Sequence, residues 1–107
     1  MEIKISGRHV DLTPALEQYA SRKVERFHRY FDRISQIEVV IGKDRHEYKT
    51  EFIIDVDNHE PIVATSKHTD LYACIDVGAD RTVRQLTDHK SKLRDDKHHT
   101  PTSGTRL

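Results

Sequence analysis

From Thr69 to Lys97 the apolar side of the chain falls at Leu71, Ile75, Gly78/Ala79, Thr82, Leu86, His89 and Leu93, with no proline between them. Steps of three and four keep these positions on one stripe and predict a single long amphipathic helix. Thr69 stands where it can cap the first amides, and Asp70 and Asp76 complement the positive end of the dipole. Upstream, Leu16, Ala20, Val24, Phe27 and Phe31 recur at the same steps. They predict a first helix running from Thr13-Pro14, a capping hydroxyl with proline at the first helical position, to about Tyr30. Four other runs alternate with period two: Ile3 and Ile5 in a segment closed by Gly7; Ile37, Val39 and Ile41; Phe52, Ile54 and Val56; then Ile62, Ala64 and Ser66 after Pro61. Each presents one apolar face, as a half-buried strand does. Asp57-Asn58-His59-Glu60 has the composition of a hairpin turn, and Lys43–Glu47 predicts a less regular connection. The order is β-α-β-β-β-α. The expected fold is α+β, a four-stranded sheet with both helices packed on one face.

Composition narrows this further. A chain of 107 residues is expected to form one domain with one modest core. Charged residues (34%) are nearly as frequent as hydrophobic ones (35%), so the core must be thin. Residues 1–97 are expected to form the domain, and the polar HHTPTSGTRL of 98–107 a flexible tail. No apolar run approaches the ~20 residues needed to cross a bilayer, and MEIKISGRHV lacks the form of a signal peptide. The single Cys74 lies on the apolar side of the long helix, as expected of a buried, inert thiol in a reducing, cytoplasmic compartment.

The eight histidines have no supporting ligand spacing, so no metal site is expected. Neither a nucleophile elbow nor a phosphate-cradling glycine loop is present, and no enzyme activity or cofactor is expected. The carboxylates of the middle strands suit a solvated outer sheet face better than acid-base chemistry. Formal net charge is zero, but it is segregated: the predicted helices are basic and residues 43–60 are acidic. Arg22, Arg26 and Arg29 fall at i, i+4 and i+7, one stripe beside the apolar face of the first helix. On the second helix Lys90, Arg94 and Lys97 share one flank, and Arg81, Arg84 and Lys92 the other. Such stripes also serve plain solubility, but arginine outnumbers lysine in them and its planar fork suits phosphates. Helices lying side by side would turn two of these flanks into a positive groove.

Three segments carry a resemblance to a known family: the opening IKISGRHVDLTPAL, the YFDRI that ends the first helix, and DLYACID followed by RQLTDHKSKLR. The chain resembles the short ribosome hibernation promoting factors, relatives of ribosome-associated inhibitor A once called sigma-54 modulation proteins. The resemblance covers roughly residues 1–96. It implies a fold similar in outline to double-stranded RNA-binding domains. It also implies binding in the decoding region of the small ribosomal subunit, where messenger and transfer RNA would be excluded and translation inhibited in stationary phase or stress. Carried onto this chain, the ribosome-facing residues are Lys23 and Arg26 on the first helix and Arg81, Arg84, Lys90, Lys92 and Arg94 on the second; Arg22 and Arg29 join them from the stripe. The short class implies no C-terminal dimerisation domain and a separate modulation factor as partner in pairing ribosomes. The family usually carries larger aliphatic residues where Gly78, Ala79 and Thr82 stand, which implies a loosely packed middle of the second helix. Asp88 stands where lysine is common. Two alternatives remain open at this point: a stand-alone double-stranded RNA-binding module, and a protein-interaction regulator of the kind the sigma-factor name suggests.

Overall fold

The computed structural model describes the backbone of residues 1–97 and the side chains of residues 1–90. Strand β1 (Glu2–Arg8) leads through helix α1 (Pro14–Glu25) and a 3-10 turn (Arg26–Arg29) to β2 (Ile34–Asp44). Strands β3 (Glu47–Val56) and β4 (Ile62–His68) follow, and helix α2 (Leu71–Lys97) closes the order. The sheet order is β1-β2-β3-β4, with β1 parallel to β2 and the other two pairings antiparallel. A parallel pair cannot be joined by a tight turn, and α1 supplies the crossover.

Alternation decides which face is covered. Ile37, Val39 and Ile41 of β2, Phe52, Ile54 and Val56 of β3 and Ile62 and Ala64 of β4 are buried. They form one cluster with Leu16, Ala20, Val24, Phe27 and Phe31 and with Ile75, Ala79 and Leu86. Both helices therefore lie on the same face of the sheet, as the pattern predicts. They run in the same direction: Tyr19 meets Tyr72 near their starts, and Phe31 meets His89 further along.

Thr13 caps α1 as expected, its Oγ1 accepting from Leu16 N–H at 3.1 Å. The helix does not run on as α to Tyr30. It tightens at Arg26, where Tyr30 N–H donates to the Phe27 carbonyl at 2.9 Å, and the tighter turn lets Phe27 and Phe31 both reach the core. In α2 the first turn closes on Asp70, whose carbonyl accepts from Cys74 N–H at 2.9 Å, so Asp70 and not Thr69 holds the capping position.

Two further expectations are overturned. Asp44 pairs directly with Glu47, so the connection expected to be irregular is a two-residue hairpin with Arg45 in the left-handed region at φ 58°. The middle of α2 is also packed tightly rather than loosely. A Cβ added at Gly78 would stand 2.8 Å from Thr50 Oγ1 and 2.9 Å from Phe52 Cδ1, so the missing side chain is what lets the helix approach β3. Beneath that approach Ser66 donates to the Cys74 carbonyl at 2.7 Å and accepts from Thr50, which satisfies the buried hydroxyls. Thr82, fully buried, donates back to the Gly78 carbonyl at 2.9 Å.

Candidate nucleic-acid interface

Arg22, Arg26 and Arg29 are all exposed on the outer side of the α1 layer. The 3-10 turn keeps the stripe intact, because residues three apart eclipse in that geometry and Arg26 and Arg29 stand in line. Tyr19, Lys23 and Arg26, four and three residues apart, share the flank of α1 that faces α2. Arg22 lies further round, bordering a shallow depression that also contains Glu17 and Glu25.

On α2 the two flanks expected from the sequence face different neighbours. Tyr19 Oη donates to Asp76 Oδ1 at 2.6 Å and Lys23 Nζ lies 3.1 Å from the same oxygen, so the Asp76 flank is the one turned to α1. Val83 and Lys90 follow Asp76 at seven-residue steps and share that flank. Arg81 lies on the opposite flank, over β4, where its Nη1 donates to the Thr65 carbonyl at 2.8 Å. Gln85 follows it, donating to the Val63 carbonyl at 3.0 Å. Arg84 is exposed on the outer surface. The side chains of Lys92 and Arg94, and with them Lys97 and Leu93, lie outside the described residues.

The predicted residues thus form two groups, not one. Lys23, Arg26 and Lys90 border the groove between the helices, with Arg22 and Arg29 on its crest, while Arg81 stands apart beside the outer sheet edge. Electrostatics grade the groove along its length. Burial works to raise the Asp76 carboxyl, but the hydrogen bond from Tyr19 and the ion pair with Lys23 outweigh it and hold the group below its ordinary range. The same hydrogen bond, with burial and the Asp76 charge, pushes Tyr19 up to about 12. Lys23 is therefore largely neutralised from within the fold, and it also lies 5.6 Å from the Tyr19 ring. Among the described residues Arg26, Arg29 and Arg84 have no such internal partner, and all three are exposed.

Cys74 is fully buried with its thiol directed at the Tyr48 carbonyl, 3.3 Å away. Among the described residues no three histidine, cysteine or carboxylate groups gather as a metal site. No described helix is long and apolar enough to cross a membrane.

Three basic residues outside the sequence prediction also come together. Arg8, Lys49 and Lys67 share one row on the uncovered face of the sheet. Lys49 belongs to the stretch expected to be acidic. The strand registers divide the carboxylates of that stretch: Asp44, Glu47 and Glu51 lie near Lys49, and Asp55 lies at the other end of the sheet.

A one-sided four-stranded sheet whose parallel helices expose arginines defines a small α+β binding domain. The chain belongs to the Sigma 54 modulation protein / S30EA ribosomal protein family, whose sequence profile matches residues 3–94. A ribosome hibernation promoting factor from Azotobacter vinelandii is 40% identical over 92 residues, 86% of this chain and 85% of that one. One from Escherichia coli K12 is 36% identical over 94 residues, 88% of this chain and 98% of that one. The N-terminal domain of Thermus thermophilus Protein Y matches in structure with a TM-score of 0.75 and 28% identity, over 83% of this chain and 99% of that domain. A ribosomal subunit interface protein from Coxiella burnetii, 24% identical, shares the fold with a TM-score of 0.79 over 85% of this chain and 99% of that one.

Proposed function

We propose that this chain is a cytoplasmic, non-enzymatic ribosome hibernation factor. It binds the decoding region of the small ribosomal subunit, keeps messenger and transfer RNA out by occupying their place, and so holds translation down in stationary phase or stress. With a separate modulation factor it promotes pairing of idle ribosomes. The observation that carries this is the set of outward, internally unpartnered arginines on the helical side of a domain whose relatives are named for ribosome hibernation. Arg22, Arg26, Arg29, Arg84 and Lys90 make the phosphate contacts. Lys92 and Arg94 extend them along α2, Arg81 joins from the β4 side, and Lys23 contributes once freed from Asp76.

Phosphate binding releases counterions, so affinity must fall steeply with salt. For about 6–10 contacts the loss is on the order of 10³–10⁵ between 50 and 200 mM. Replacing Arg22, Arg26 and Arg29 by Gln removes three charges but retains good helix formers, and should lower the salt slope of ribosome binding by roughly three units. Lys4→Gln with Arg33→Gln, remote from the helical groove, should leave the slope almost unchanged. Equal losses per charge from both sets would show diffuse attraction instead. Binding to isolated RNA duplex as tight as to ribosomes would favour a stand-alone duplex-binding module, and nuclease-resistant capture of a protein would favour a protein-interaction regulator. No ribosome binding at low salt would end the proposal.

A further inference from the structure

The face of the sheet that no helix covers is strongly polarised. Strand pairing sets Arg8, Gly42, Lys49 and Lys67 side by side across all four strands. One adjoining row is Ser6, Val40, Glu51 and Thr65, and the other, at the hairpin, is the acidic pair Asp44 and Glu47; at the far end stand Glu2, Gln36 and Asp55. The basic end is hollowed into an open cleft of about 710 Å³ lined by Arg8, Lys43, Lys49, Lys67 and Arg81, against only Asp44 and Glu51 as acids. Among the described residues none of these five cations forms an ion pair. Lys49 and Lys67 are directly opposed, an arrangement that destabilises a sheet when nothing lies between the charges. Gly42 leaves the floor open between Arg8 and Lys49; a Cβ there would find its nearest neighbours, both atoms of Arg8, only at 3.7 and 3.9 Å. The fold therefore carries a hollow of concentrated positive charge, which an anion would relieve.

We propose that this cleft holds the phosphodiester backbone of an RNA strand, on the side of the sheet opposite the helical groove. Neighbouring strands are about 4.8 Å apart, so the row spreads its charges over a line roughly 14 Å long, which suits a polyanion better than one phosphate group. No Phe, Tyr or Trp lines the cleft and His9 is its one ring, so a stacking platform for successive bases is missing and the contact is chiefly to the backbone, largely independent of sequence. An acidic peptide fits less well, because added strands need a free sheet edge and the outward carbonyls of β4 at Val63 and Thr65 are occupied by Gln85 and Arg81. Arg81 borders this cleft from the β4 side, apart from the helical groove. The identity of the strand as ribosomal RNA rests on the function proposed above; the preference of the cleft for a phosphodiester chain does not.

The test is residue-resolved. The full chain, labelled with ¹⁵N, is titrated at low salt with an oligouridylate of about a dozen nucleotides, with tripolyphosphate, and with polyglutamate of matched charge. The inference expects the backbone amides of Arg8, Gly42, Lys49 and Lys67 to shift with oligouridylate at the lowest concentrations. Lys49→Gln with Lys67→Gln should weaken that response at least tenfold, with the melting curve of the exposed-site variant confirming that it folds. The helical Arg22, Arg26 and Arg29 triple should leave it in place. An equal response to polyglutamate, saturation by tripolyphosphate that the oligonucleotide cannot match, or silence at these amides would each overturn the inference. Shifts at these amides in a protein that fails to bind ribosomes would sink the ribosome proposal and leave this one standing. Ribosome binding with no such shifts would do the reverse.

Discussion

Replacing Gly78 by alanine sets two effects of known size against each other. In a helix interior the exchange should stabilise by about 1 kcal/mol, through reduced entropy of the unfolded chain and better helix propensity. Here the new methyl would fall within 3 Å of Thr50 Oγ1 and of the Phe52 ring. Neither neighbour can swing away into water: Phe52 is fully buried against Phe27, their ring centroids 6.3 Å apart, and Thr50 is tied to Ser66. Overpacking of this kind costs about 1–3 kcal/mol, and contacts under 3 Å with two held neighbours place it at about 2–3, so the clash should win, leaving a net loss of about 1–2 kcal/mol. For a domain of this size that is a fall in melting temperature of roughly 4–16 °C. Urea unfolding of Gly78→Ala, Phe52→Leu and the double variant would isolate the cause, since trimming the ring should recover much of the alanine's cost if the ring is what it strikes. A stabilised Gly78→Ala, or strictly additive effects in the cycle, would refute the tight approach of α2 to β3.

Other outcomes follow from the core and from the Tyr19-Asp76-Lys23 cluster. Leu86 is fully buried, and Leu86→Ala should cost about 2–5 kcal/mol; an unchanged urea midpoint would show that the stripe is not core. Tyr19 is raised to about 12 because its neutral form donates to Asp76, so its contribution is complete below pH 10 and fades as pH climbs through 12. Tyr19→Phe should lower the melting temperature at neutral pH and flatten the alkaline decline; parallel declines in the two proteins would contradict this. Asp76 is held low, so its contribution exists above the ordinary carboxylate range and fades as pH drops through its depressed value. Asp76→Asn should remove that acid limb and release Lys23, steepening the salt slope of ribosome binding by about 0.9; a slope that stays the same would mean Lys23 never reaches phosphate.

Elements fixed by strong periodicity were legible in advance. Both apolar stripes, the strand faces and the Thr13-Pro14 start stand where alternation and helical spacing put them, because burial of one face dominates each. What escaped depends on information absent from any local window. Arg45 adopts a left-handed turn without the Gly or Asn that would advertise it, so the tight β2–β3 hairpin carries no turn signature. Gly78 looked like a gap because spacing shows which residue faces the core but not how near the opposing strand comes. The helical arginines could be named from the wheel alone. Their division between the inter-helical groove and the β4 side needed to know which flank meets α1, which Asp76 decides. The row of Arg8, Lys49 and Lys67 gathers cations from three distant segments, and its signal exists only once the strand registers are known.

The contacts of Arg81 and Gln85 with β4 bear on how the protein behaves when it is abundant. An outer strand with free backbone groups is a template on which another chain can extend the sheet, and that hazard grows with concentration. Here two outward carbonyls on that border already have donors, delivered by the domain's own final helix, and one donor is charged. On this side the molecule resists edge-to-edge growth by its own construction. The guard is also a residue that RNA could draw away, and it would then be released only where a bound partner stands beside the border it protects.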